Sequence, residues 1–307
     1  MKKRDYSHTC CLAIFCWSVL PASCYNPSVS TTQPPTGEAV QGVFVANRDS
    51  LRTDSIDRAI FQQKLRIAAP YPTLQQKTLA VMRSFIGTPY RTGDLDAFET
   101  ERLVVTLRSL DCWTSIEACL SIALCAEAGA QDFQHYRDYL RQLRYWGGHI
   151  QGYGSRIHYF SGWILQNEQH GYFRDISAEL GGVPYQKAIT YLTDIPWYYP
   201  QLNDTTTYRQ VATAQQRIGA HPWRYVPKAK VAAIEPLLQD GDIIALTSAR
   251  PNFDIEHQGF AIRKQGRVYL LHASSGGQKV RVSAKPLHEY LAANATMSGM
   301  MVLRVRK

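Results

Sequence analysis

Long apolar runs are missing from this sequence. The one near the N-terminus, Leu12 to Leu20, falls well short of the ~20 residues that a membrane-crossing helix requires. Runs of like charge are missing too. No five consecutive residues share a sign, although Lys and Arg outnumber Asp and Glu by 34 to 25. Positive charge spread this thinly makes a solvated surface, whereas a nucleic-acid patch needs clustering. The pattern argues against nucleic acid as a partner and leaves open attraction to an anionic polymer such as a cell wall. Cysteine is sparse and poorly placed for crosslinking. Of the seven, Cys10, Cys11, Cys16 and Cys24 lie in the first 24 residues, and Cys112, Cys119 and Cys125 share one short segment. An odd set in one segment is no disulfide framework, and no pair has zinc-ribbon spacing. Internal repeats are absent.

What is present is a globular chain. Its 307 residues exceed the ~100–200 of a typical domain, and 45% are hydrophobic against 19% charged. Met1-Lys2-Lys3-Arg4 followed by the short apolar stretch to Leu20 is a signal-peptide pattern. It ends in Leu20-Pro21-Ala22-Ser23-Cys24, with small residues before a cysteine, as at a bacterial lipoprotein processing site. The expectation is a signal peptide over residues 1–23 and a lipid on Cys24. That would anchor an exported protein in the cell envelope, facing the periplasm, with soluble export as the alternative. Residues 24–50 read as a flexible tether, because Tyr25 to Gly37 is rich in Pro, Ser and Thr and lacks periodicity.

Residues 51–307 then read as one α+β domain. Amphipathic helices are expected over Asp54–Ala69, Thr73–Ile86, Phe133–Tyr145, Tyr185–Leu192 and Tyr208–Ile218, and an apolar helix from Cys112. Thr73 with Gln76 is a capping-box signature, and Gly87 is a stop. Strands are expected over Asp242–Thr247, Gln258–Arg263, Val268–His272 and Met300–Val305, with turns at Gln265-Gly266 and Ser275-Gly276-Gly277. Helices first and an antiparallel sheet after make an α+β architecture. The stretch of about 130–235 reads as helical and loop insertions.

The chemistry centres on Leu110-Asp111-Cys112-Trp113-Thr114. A cysteine at a helix N-terminus meets unpaired amides and about half a positive charge, which favour the thiolate and can hold an oxyanion. Cys119 and Cys125 lie among apolar residues and read as small hydrophobes. Asp111 reads as the helix cap. Of nine histidines, His257 opens one strand and His272 ends the next, so a hairpin through Gln265-Gly266 sets them side by side. One imidazole can serve as base and the other can orient it. Three metal ligands cannot be named from the spacing, so no metal and no cofactor are expected.

Gly87-Thr88-Pro89-Tyr90, Asp111-Cys112, Gly241-Asp242-Ile243-Ile244, His257-Gln258-Gly259 and His272-Ala273-Ser274 follow the order of the NlpC-type cell-wall cysteine hydrolases, which have a papain-like core. Asp111-Cys112-Trp113-Thr114-Ser115-Ile116-Glu117 and Arg156-Ile157-His158-Tyr159-Phe160-Ser161-Gly162-Trp163 resemble marks of the N-acetylmuramoyl-L-alanine amidase-like branch. The resemblance runs over roughly residues 70–305. Trp113 and Ser115 depart from it, standing where the branch usually has a small hydroxyl residue and an aromatic.

The resemblance implies hydrolysis of the amide between N-acetylmuramic acid and L-alanine in peptidoglycan or muramoyl-peptide fragments, through a thioester. Cys112 would be the nucleophile, His257 the base and His272 the orienting residue. Tyr90 would bind substrate or oxyanion. Separately, Arg156 to Trp163 is rich in Arg and aromatics; aromatic faces stack on sugar rings and Arg can hold a carboxylate bidentately, so Arg156, Tyr159 and Trp163 are expected to contact the muramoyl-peptide. A stem-peptide endopeptidase and an inactive wall-binding lipoprotein are the alternatives.

Overall fold

The computed structural model describes residues 48–306. The expected signal peptide, the Cys24 lipidation site and the tether up to residue 47 lie outside the described residues. The chain divides into compact units of residues 1–55 and 56–307. In the first, the described residues belong to helix α1, Arg48–Ala68.

The second unit opens with helices. α2 (Leu74–Ser84) is capped by Thr73, whose hydroxyl accepts from the Gln76 amide at 3.2 Å. α3 (Cys112–Ala128), α4 (Phe133–Arg144) and α5 (Phe160–Gln169) follow. After these come β1 (Phe173–Asp175), β2 (Val183–Pro184), the short α6 (Tyr191–Asp194), α7 (Thr205–Ala220) and β3 (Arg224–Pro227). The last part carries α8 (Val231–Ile234), β4 (Ile243–Ser248), β5 (Ile255–Lys264), β6 (Arg267–Ser274), β7 (Lys279–Val282), α9 (Leu287–Ala292) and β8 (Met297–Val305).

The strands form one antiparallel sheet in the order β2-β3-β8-β4-β5-β6-β7, with β1 also paired to β8. This is the expected α+β class. Every residue of β4 is buried, because both faces of the sheet are covered. One face packs Ile243, Ala245, Phe260 and Leu271 against α2 to α5. The other packs Ile244, Leu246, Leu270 and Met300 against Val231, Leu287 and Leu291 of α8 and α9.

Two expectations change. Tyr185–Leu192 is not a helix. Tyr185, Ile189 and Leu192 are buried at helical spacing, but residues 185–190 form no regular element and the four-residue α6 begins only at Tyr191. The Tyr185 amide bonds to Trp223 and the Lys187 ammonium is drawn to carbonyls of the β4–β5 loop. The stretch 130–235 is also part of the sheet, because β1 and β3 pair directly with β8 and β2 extends it.

Within α3, Glu117 is fully buried and faces Arg144 of α4 at 2.7 Å. Burial alone would push this carboxyl's pKa up, and the guanidinium opposes it. Removing one partner of such a pair leaves an uncompensated buried charge. Arg144→Met should lower the unfolding free energy by about 3–5 kcal/mol in urea titrations. A loss below ~1 kcal/mol would show the pair to be dispensable.

Candidate active site

Cys112 is the first residue of α3 and is partly exposed. The helix begins there because Asp111 caps it. One Asp111 carboxylate oxygen accepts from the amides of Trp113 (3.0 Å) and Thr114 (2.7 Å), and the Thr114 hydroxyl accepts from the Asp111 amide (2.9 Å). This reciprocal capping box uses three of the four amides that a helix start leaves over. Asp111 is therefore a cap, as its position in the sequence suggested. Behind Cys112 the helix is apolar. Burial holds the Cys119 thiol well above its ordinary value and pushes Cys125 up to about 12, so both are inert packing groups.

The segment before the helix is stitched to the sheet. Tyr90 pairs with Leu110, the Leu110 amide donates to Pro89, and the Tyr90 amide donates to Gln278. Pro89 pairs with Lys279 of β7, and Lys279 pairs with Ser274 of β6. Tyr90, half-buried, thus sits between the approach to the cysteine and the strand next to the one carrying His272. α3 itself packs against β5 and β6.

The two histidines do meet. Gln265 and Gly266 both take left-handed φ values, +51° and +77°, the geometry of a tight two-residue hairpin. His257 Nε2 lies 2.5 Å from His272 Nδ1, with ring centroids 4.8 Å apart and planes at 84°. Both rings are buried, and the His272 ring is edge-on to Tyr290 at 5.6 Å. Gly259 makes room for the pair, since a Cβ there would come within 2.9 Å of the His272 Cβ. Burial lowers His257 to about 4. Burial, then the neighbouring His257 and the Arg281 charge, lower His272 to about 2. Both imidazoles are neutral at neutral pH, so the pair needs one donor and one acceptor. With His257 Nε2–H donating to His272 Nδ1, the other nitrogen of His257 keeps a lone pair and can take a proton.

The Arg156–Trp163 segment behaves differently from its sequence reading. Trp163 is fully buried, stacked between Phe160 (4.9 Å) and Phe173 (5.3 Å). The Tyr159 hydroxyl accepts from the Leu192 amide (2.9 Å) and from Gln215 (2.8 Å) inside the core. Neither has a face left for a sugar, because α5 is enclosed by α4, α7 and β1. Both are corrected to core residues. Phe160 also meets Trp113 edge-on at 5.4 Å, so this stack supports the residue beside Cys112. Arg156 is buried too. It is paired to Asp96, lies 3.4 Å from Glu101, and lines a pocket of about 310 Å³ with Asp96, Phe98, Glu101 and Tyr153.

Residues that the sequence reading passed over surround the His257 strand. Asp254 is buried, and one oxygen accepts from the Ser161 amide (2.8 Å) and hydroxyl (2.6 Å). Glu256 is held bidentately by Arg250 (2.9 Å twice) and accepts from the Ser248 hydroxyl (2.5 Å). Their only signal was two carboxylates immediately ahead of a histidine.

The chain matches the AmiA-like family, described as N-acetylmuramoyl-L-alanine amidase-like, over residues 80–298. It is similar to the crystal structure of an N-acetylmuramoyl-L-alanine amidase from Bacteroides uniformis, with 32% identity and a TM-score of 0.72, covering 76% of this chain and 99% of that one. A Bacteroides fragilis protein described as a candidate xylanase is 33% identical, with a TM-score of 0.69 over 73% of this chain and 99% of that one. A Legionella pneumophila protein at 19% identity shares the fold, with a TM-score of 0.64 over 84% and 97% of the two chains. No curated protein sequence matches the chain.

The buried imidazoles give a stability prediction. His257, His272 and the buried His158, lowered to about 3, refuse protons that the unfolded chain accepts below about 6.5. Stability from them is complete above that pH and is lost as pH falls toward the folded values. Each contributes a slope of ~1.4 kcal/mol per pH unit in that window. Urea titrations from pH 7 to 4.5 should give a shallower pH slope for His272→Asn than for the wild type, with the raised buried carboxylates common to both. Equal slopes would show that His272 does not titrate on unfolding.

Proposed function

Because the chain belongs to the AmiA-like family of N-acetylmuramoyl-L-alanine amidase-like proteins, we propose that it is a cysteine amidase of papain-like type. Its bond is the amide joining the lactyl group of N-acetylmuramic acid to L-alanine in peptidoglycan fragments. The observation that carries this reading is the buried His257–His272 pair on a hairpin packed against the helix that begins at Cys112.

In this mechanism the free nitrogen of His257 takes the Cys112 thiol proton, and the helix N-terminus favours the resulting thiolate. Sulfur attacks the lactyl carbonyl carbon, and the carbonyl electron pair moves to oxygen. The Cys112 amide, at the start of the helix, is the donor assigned to that oxyanion, as the family resemblance implies. Collapse breaks the carbon–nitrogen bond, and the imidazolium gives its proton to the departing alanine nitrogen. Water, deprotonated by the same imidazole, then hydrolyses the thioester and returns the thiol. His272 accepts the Nε2 proton's hydrogen bond throughout and fixes the tautomer of His257. Tyr90, paired with Leu110 ahead of the cysteine, and Arg156, in its pocket, are the residues assigned to substrate binding. Export and a lipid on Cys24 complete the reading, and rest on the N-terminal sequence pattern.

The test is mass spectrometry of muramoyl-peptide digests. Wild-type protein should release free N-acetylmuramic acid, and Cys112→Ser should lower the rate by about 10³-fold or more. Cleavage between stem-peptide residues would make it an endopeptidase. Equal inactivity of both proteins with retained wall binding would make it a binding protein. Activity that survives thiol alkylation but not a chelator would point to a metal hydrolase.

A further inference from the structure

In a regular strand, residues two apart share a face. β5 breaks this rule immediately before the base. Leu246 pairs with His257 and Thr247 with Ile255, so Glu256 is the extra residue of a β-bulge. The consequence shows in the packing. Ile255 belongs to the cluster on the helical face of the sheet, whereas His257 lies opposite Leu246, which belongs to the other face. From His257 onward the ladder is regular, so His257 shares the face of Gly259 and Ala261 and meets His272 there, while the bulge lets Ile255 return to the helical face.

A bulge leaves its extra residue outside the ladder, so something else must hold it. Here several bonds do. The Glu256 carboxylate is gripped by both Arg250 nitrogens and by Ser248. The Asp254 carboxylate accepts the Ser161 amide and hydroxyl, tying the start of β5 to the start of α5. α5 has no side-chain cap of its own, so Asp254 supplies it from 93 residues away. The Asp254 carbonyl accepts from the Tyr185 hydroxyl at 2.7 Å and from the Ser248 amide at 2.8 Å. Lys187 donates to the carbonyls of Ser248, Arg250 and Phe253, at 2.5, 2.5 and 3.3 Å. Four chain segments thus converge on six residues of loop.

We propose that Asp254 and Glu256 are positioning residues: they lock this bulge and thereby hold in place the start of the strand that carries the His257 imidazole. The inference rests on the reading of His257 as the base for Cys112. It gives the Arg156–Trp163 segment a role that sugar contact does not, since Ser161 is the anchor for Asp254. Asp254→Asn is the informative change. It keeps the shape but turns an amide donor toward backbone donors on one side of the carboxyl. Glu256→Gln weakens the bidentate grip of Arg250. A reacting group displaced by about 1 Å loses rate by up to about 10²-fold.

The experiment measures two things on the full chain. One is the alkylation rate of Cys112 by iodoacetamide at pH 7, read by mass spectrometry, which needs no natural substrate. The other is kcat and KM on a muramoyl-peptide. Circular dichroism and Tm identify folded variants. Folded Asp254→Asn and Glu256→Gln should each alkylate about tenfold more slowly and lose kcat about tenfold or more, with KM within twofold. If Asp254→Asn does not fold, Ser161→Ala removes one bond of the same anchor and should show a several-fold loss in the same direction. Glu256→Asp, which keeps the charge, should recover part of the rate lost in Glu256→Gln.

Folded variants with wild-type alkylation and kcat would overturn the positioning role and leave the amidase reading intact. A wild-type alkylation rate unaffected by His257→Ala would overturn the Cys–His reading itself, and the positioning role with it.

Discussion

Helix α3 is buried on every side, and the rest of the molecule is arranged to make that possible. From Thr114 to Cys125 each residue is buried, so the helix has no polar face to give to water. α2 and α4 cover two flanks and strands β5 and β6 cover a third. Exposure is confined to the two ends, Cys112 and Trp113 at the N-terminal turn and Ala126, Glu127 and Ala128 at the other. A helix anchored so completely presents its first residue as a fixed point. Local fraying, the usual fate of a helix start, is opposed by the Asp111–Thr114 capping box.

One charge is carried into this interior, and a network is built around it. Glu117 pairs with Arg144, whose guanidinium also donates to the Val104 carbonyl at 2.6 Å. The neighbouring Tyr145 hydroxyl donates to Glu101 at 2.6 Å, and Glu101 faces Arg156. The polar chain therefore runs from inside α3 to the loop before it, passing through the Arg156 segment. Burial raises the carboxyl groups of Glu101 and Glu117, and each arginine opposes that shift. Such a network fixes geometry more than it adds stability, because the desolvation cost offsets most of the attraction. Its product is a defined path for residues 94–108, which lead into Leu110 and the cysteine.

The same logic operates on the opposite side of the site. There the strand carrying His257 is held by Asp254, Lys187 and Tyr185 through backbone carbonyls and amides. The Arg156–Trp163 segment serves both sides: Arg156 belongs to the first network, while Ser161 belongs to the second. Its aromatic residues looked like a sugar platform in the sequence because exposed and buried aromatics have identical letters. Enclosure by α4, α7 and β1 decides which they are.

The primary sequence determined those features that depend on near neighbours. The cap at Asp111, the apolar helix from Cys112, the Gln265-Gly266 turn and the meeting of His257 with His272 across it all follow from spacing within a few residues. So did the helices over Phe133–Arg144 and Thr205–Ala220, and the four long strands. What depends on distant partners was not legible. β1, β2 and β3 are two to four residues long and exist only because β8 or a neighbouring strand offers them hydrogen bonds. Tyr185, Ile189 and Leu192 have helical spacing, yet long-range bonds hold Tyr185 and Lys187 outside any helix, and α6 begins only at Tyr191. The bulge at Glu256 and the bond from Asp254 to Ser161 join residues whose separation along the chain carries no periodic signal. Spacing picked out Cys112, His257 and His272 as the candidate side chains. The direction of His257 was decided by tertiary structure, because a strand's facing residue is set by the register of its partners.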